Sequence, residues 1–101
     1  MPQPKPKATE QDAATARAHF AKLDGLEHLR VRLRADLLIV ESGPDVDPIP
    51  HARLRRVGAQ TWQLEMATHN ERWENTYERA PLRLLLRGLV ELYGWTLAPR
   101  E

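Results

Sequence analysis

Between residues 41 and 51 the chain reads ESGPDVDPIPH, which gathers Glu41, Asp45, Asp47 and His51. Three carboxylates and an imidazole so close in sequence are the donors a divalent cation takes. The spacing nevertheless lacks the regular ligand positions and the central glycine of a calcium-binding loop. A Pro-Asp pair ahead of a strand also belongs to metal-dependent nucleases, where Glu-x-Lys follows on the next strand. Here Glu65 is followed by Met66 and Ala67, with no lysine to complete the set. The stretch is therefore expected to be a solvated acidic turn, with no metal assigned to it. A metal-dependent hydrolase centred on Asp45, Asp47 and His51 is the outside alternative.

Other chemistry is thinner still. His19, His28, His51 and His69 have no zinc-ligand spacing, and no cysteine is present to complete a site. Serine occurs only at Ser42, outside any Gly-x-Ser-x-Gly context. The glycines at 25, 43, 58, 88 and 94 are too scattered to cradle a phosphate. The expectation is a non-enzymatic protein with no catalytic residue, no cofactor and no evident small-molecule substrate. No motif assigns it to a family.

One pattern carries more. In HLRVRLRADLLIVE, residues 28 to 41, His28, Arg30, Arg32 and Arg34 occupy every second position and alternate with Leu29, Val31 and Leu33. Period two is the signature of a strand with one wet face. The next strand is apolar on both sides, since Leu37 and Ile39 alternate with Leu38 and Val40, and such strands are usually covered on both faces. Arginine stems can supply that cover while their heads stay wet. An apolar centre rimmed by arginine is also the composition of a protein contact patch. The expected binding face is Arg30, Arg32, Arg34, Leu37, Ile39, Arg53 and Arg55. With Arg72 included and Glu41, Glu65 and Glu74 set against it, six arginines stand against three glutamates on that face.

The elements that must position this face can be read in order. Residues 1–8 alternate Pro with polar residues and form an extended tail, and 9–98 make one domain. A helix opens at Thr9, a good N-cap with Glu10 and Asp12 in its first turn, and stops near Gly25. Its inward stripe is Ala13, Ala16, Phe20 and Leu23. A two-residue turn at Ala35 and Asp36 sets Leu33 opposite Leu38 and Val31 opposite Val40. The proline-rich loop to residue 50 cannot be a central strand, so the third strand starts near His51. With Gly58, Ala59 and Gln60 as a turn, Leu54 faces Leu64, Arg53 faces Glu65 and Arg56 faces Trp62.

THNE, residues 68–71, makes the next turn and sets Met66 against Trp73, Glu65 against Glu74 and Trp62 against Tyr77, an aromatic core cluster. Pro81 opens a last helix at its N1 position, with Leu82, Leu85, Leu86, Leu89 and Tyr93 inward and Gly94 ending it. Leu84 and Leu92 widen its apolar band, with the core as their expected use, and Trp95 and Leu97 fold back onto the sheet. The fold class is α+β: a two-layer domain, a five-stranded antiparallel meander with an N-terminal and a C-terminal helix on one face.

Composition bounds the partners. The chain has 101 residues, 15 basic against 14 acidic side chains, and a formal charge of +1. Such balance argues against a dedicated non-specific nucleic-acid binder. With no cysteine and no apolar run of transmembrane length, a cytoplasmic protein is the default. The functional expectation is a binding or adaptor domain making protein contacts, a second copy of itself among the candidates, through its arginine face. Nucleic-acid binding by the same arginines is the alternative, weakened because the aromatics are expected to point inward. No membrane partner is expected.

Overall fold

A computed structural model describes residues 6–23, 25–68 and 72–97, with the backbone alone at 95 and 96. Part of the tail, residues 69–71 of the THNE turn, the Trp95 side chain and residue 98 lie outside the described residues. The order is α1 (Glu10–Ala21), β1 (Arg30–Arg34), β2 (Leu37–Ser42), β3 (Ile49–Arg56), β4 (Trp62–Ala67), β5 (Trp73–Ala80) and α2 (Leu82–Leu97). The five strands form one antiparallel meander in sequence order. Ala13, Ala16 and Phe20 of α1 and Leu85, Leu86 and Leu89 of α2 join Val31, Leu38, Val40, Leu54, Trp62 and Leu64 in a single core. Both helices thus cover one face, as the alternation requires, and no second layer covers the other among the described residues. No helix among the described residues is long and apolar enough to cross a membrane.

Local chemistry explains the ends of α1. The Thr9 hydroxyl accepts from the Asp12 amide, while the Thr9 amide donates to the Asp12 carboxylate, a reciprocal capping box. Arg56 then ties this helix start to the sheet. It donates to the carbonyls of Lys7 and Ala59, lies 3.7 Å from Asp12, and sits over the Trp62 ring. The alanine stripe alone would hold α1 weakly, so this polar strap does part of the docking.

The β1–β2 and β3–β4 registers are those the alternation demands, from Arg30 opposite Glu41 to Arg34 opposite Leu37, and from Ala52 opposite Met66 to Arg56 opposite Trp62. α1 stops at Ala21 with Lys22 as its C-cap, short of the expected Gly25. Three further expectations fail, each for a local reason. β3 begins at Ile49 and includes Pro50, because a bulge between Val40 and Glu41 lets the proline pair without its missing N–H. α2 continues past Gly94 to Leu97, with a kink at Tyr93 (φ −125°), so Leu97 is buried as part of the helix.

The third failure is the β4–β5 register, which is shifted by one residue. Ala67 faces Trp73, Met66 faces Glu74 and Glu65 faces Asn75. Beyond this, Gln63 faces Arg79, so residues 76–78 oppose Leu64 alone. The Thr76 hydroxyl donates to the Leu64 carbonyl and the Tyr77 amide donates to Asn75 Oδ1, which holds the extra residues out of the ladder. Tyr77 is carried into left-handed backbone (φ 63°) and is 83% exposed, far from the expected aromatic cluster.

The β1–β2 turn places Ala35 at φ 52° and leaves Asp36 at negative φ, the pattern of a type II′ turn, whose first position favours glycine. Ala35 is exposed and has no side-chain packing to lose. Ala35→Gly is expected to stabilise the domain by about 1 kcal/mol in chemical denaturation. A neutral or destabilising result would show that this turn carries no strain.

Candidate binding face

The uncovered sheet face is built in transverse rows. Following partners from strand to strand, the first row runs Arg34, Leu37, Arg55, Gln63, Arg79. The second runs Arg32, Ile39, Arg53, Glu65, Asn75. Strand spacing places the three arginines of the first row roughly 10 Å apart, on alternate strands. All seven expected residues lie on this face, because strict alternation on β1, β2 and β3 leaves them no other side.

The centre of the face is dry. Ile39 is only 7% exposed although no helix or strand among the described residues covers it. The flanking stems of Arg32 and Arg53 are its neighbours in the row, and their heads are anchored by carboxylates. Arg32 Nε lies 3.2 Å from Glu41, and Arg53 Nε donates to Glu65. Arg55 reaches Glu65 at 3.4 Å and Asp36 at 3.1 Å. Burial works against the Arg55 charge, yet Glu65 and Asp36 together hold its pKa above the ordinary guanidinium value. Glu65 therefore serves two guanidinium groups at once.

The rest of the face divides by partner. Arg30 donates to the Gly43 carbonyl and lies 3.5 Å from Asp45, which is fully open to water. Arg79 donates to the neutral Gln63 side chain, and Arg34 has no ion pair or side-chain hydrogen bond among the described residues. Arg34 and Arg79, at the two ends of the first row, are thus cations of this face that no carboxylate matches among the described residues.

The register shift in β5 corrects the expected membership of this face. Trp73 replaces Arg72 on it, and Glu74 leaves it for the opposite side, which also removes the repulsive Glu65–Glu74 pair. The expectation that every aromatic points inward fails with it: the Arg53 guanidinium stacks over the Trp73 ring at 4.4 Å. His28 also leaves this face, since its Nε2 donates to the Leu97 carbonyl at the end of α2. Gln63 faces Arg55 on this side as the β3–β4 register predicts, whereas Trp73 and Arg79 were missed by sequence reasoning, and only the correct β5 register would have revealed them.

The acidic stretch does not converge. Glu41 turns to Arg32, Asp45 to Arg30, and the buried His51 imidazole to the Ser42 hydroxyl at 2.7 Å. No group of three potential metal ligands exists among the described residues. Ser42 and His51 form a hydroxyl–imidazole pair that the sequence does not announce. Ser42 is 6% and His51 2% exposed, so the bond sits out of reach of a substrate and pins β2 to β3 beside the bulge. On α2, Leu84 and Leu92 are 54% and 59% exposed, so the surplus apolar band is not core after all.

Glu65 offers the sharpest energetic contrast on the face. Its side chain is 9% exposed between two half-buried arginines, whereas that of Asp45 is 91% exposed. Glu65→Gln is expected to cost roughly 2–3 kcal/mol of stability, because it takes the carboxylate from the partly desolvated Arg53 and leaves Arg55 with Asp36 alone. Asp45→Asn should stay within about 0.5 kcal/mol. Equal effects of the two variants in urea denaturation would overturn this account of the face. Geometry is the basis for reading its role, since the chain matches no protein-family model, no curated protein and no solved structure.

Proposed function

We propose that the chain is a non-enzymatic binding domain whose uncovered sheet face docks a protein partner presenting carboxylates. The observation that carries this reading is the first transverse row: Arg34 and Arg79 lack a matching carboxylate among the described residues, and Leu37 and Arg55 lie between them. The central arginines are already positioned by Glu41, Glu65 and Asp36, so little side-chain entropy is lost when a partner arrives. Half-buried Leu37 supplies apolar contact beside them, and the unmatched ends supply attraction and orientation.

Nucleic-acid binding is the second reading, and Trp73 on this face is the observation that favours it. Arg53 occupies one side of that ring, which leaves a poorer stacking platform than a bare aromatic would give.

The discriminating experiment sets a polyglutamate peptide against mixed DNA and RNA oligonucleotides in fluorescence anisotropy, with sedimentation velocity run in parallel. Protein docking predicts peptide binding or self-association that Leu37→Asp weakens by at least about tenfold, and that the Arg34→Glu/Arg79→Glu variant abolishes without lowering Tm. Oligonucleotide binding that collapses with salt and tolerates Leu37→Asp would replace this reading with phosphate recognition. A monomer that binds neither probe would reduce the face to solvated cover.

A further inference from the structure

The helical layer carries a second feature, remote from the arginine face. α1 and α2 flank a cleft of about 380 Å³ on the side away from the sheet. His19 and Lys22 enter it from the α1 side, Arg83 and Arg87 from α2, and no carboxylate lines it among the described residues. Lys22, Arg83 and Arg87 make no ion pair or side-chain hydrogen bond among the described residues. The Nε2 atom of His19 is buried and makes no hydrogen bond of good geometry among the described residues, although the ring lies close enough to the Leu86 backbone for it to favour the protonated form. A buried imidazole nitrogen left unpaired costs free energy, and such orphans call for an explanation. Here it opens among three cations whose field is uncompensated.

We propose that this cleft binds the phosphate group of a small phosphorylated molecule. Arg83 and Arg87 stand one helical turn apart on α2 and present two guanidinium forks, with Lys22 opposite. A lone carboxylate is satisfied by one fork, whereas a tetrahedral dianion has oxygens for three cationic donors and the imidazole. Arg83 also sits in the first turn of α2, which contains no acidic residue, so the helix dipole adds positive potential there. The volume exceeds that of a bare phosphate and lies in the range of small-molecule sites. Ala14, Ala18 and Leu86 give the rest of the molecule an apolar surface, and no aromatic lines the cleft to stack on a base. A sugar-phosphate or other compact ester fits this chemistry better than a nucleotide.

Proton uptake should accompany binding. Burial, then Arg87 from α2 and Lys22 from α1, hold the His19 imidazole below its ordinary 6.5, while the Leu86 backbone acts in the opposite sense. An anion beside the ring reverses the electrostatic part of this balance and lets the ring donate to it. Affinity for an anion with fixed charge should therefore rise as pH falls through the imidazole range.

The test follows amide and imidazole resonances while the full chain is titrated with inorganic phosphate and, as a probe whose own charge does not change near neutrality, with sulfate. The expected result is saturable binding with shifts confined to α1 and the first turns of α2, stronger for sulfate at the acidic end. The Arg83→Gln/Arg87→Gln variant changes two exposed side chains, should keep its Tm, and should weaken binding by at least about tenfold. His19→Gln should flatten the pH dependence. Shifts that never saturate, shifts centred on the sheet arginines, or unchanged affinity in the double variant would overturn the proposal. So would a pH dependence that survives His19→Gln.

Discussion

The architecture depends on closing one sheet face that no second layer covers among the described residues. β2 is apolar on both sides, so Ile39 must be kept from water although both helices lie behind the sheet. Burying an isoleucine side chain contributes on the order of 1.5–3 kcal/mol. A buried arginine–carboxylate pair adds little net stability, because desolvation offsets most of the Coulomb gain, although removing one member is costly. The larger stabilising part of the Arg32 and Arg53 side chains is thus their stems over Ile39, and the carboxylates act by deciding where the stems lie. Glu65 is central because it holds Arg53 and Arg55 together, from a strand on the far side of β3 from Ile39.

The same device shapes the electrostatics. Arginines that fix the cover must be neutralised where they are drawn inward, so Glu41, Glu65 and Asp36 quiet the middle of the face. Arg34 and Arg79 lie at the two edge strands, where stems have less to cover and no carboxylate is required. A face built for stability in this way ends with matched charge at its centre and unmatched charge at its edges. That is the distribution in which rim charges steer an encounter while central groups contribute contact.

How much of this was legible in the sequence follows from where the information resides. The two hairpins β1–β2 and β3–β4 were readable because period-two alternation, short turns and the Arg53–Glu65 pairing all select one register. The β4–β5 pairing was not, since Trp73 and Tyr77 look like core residues and a core-seeking register buries both. What places them outside is a set of local bonds from Asn75 and Thr76, together with left-handed backbone at a tyrosine, and no hydrophobic pattern encodes these. That one-residue error exchanged Arg72 for Trp73 on the candidate face. The arginine stripe was therefore visible while its aromatic member was not. The cleft between the helices was beyond reach for another reason: His19 and Arg87 belong to opposite ends of the chain, and only tertiary packing brings them together.

A net charge of +1 on 101 residues invites the view that this protein has little to offer a charged partner. The structure shows why the total misleads. Glu27, Asp47, Glu74, Glu78 and Glu91 form no ion pair among the described residues, and neither do Lys22, Arg34, Arg79, Arg83 and Arg87. These charges cancel in a sum without cancelling in space. Interactions between exposed charges fade over about 8 Å at physiological ionic strength, so each group answers to its own neighbourhood. On the first sheet row and in the interhelical cleft that neighbourhood is cationic, and at the cleft it is also partly withdrawn from water. A near-neutral total with cations segregated onto two separate surfaces permits two distinct anionic contacts, while avoiding the broad positive field that would attract nucleic acid without discrimination.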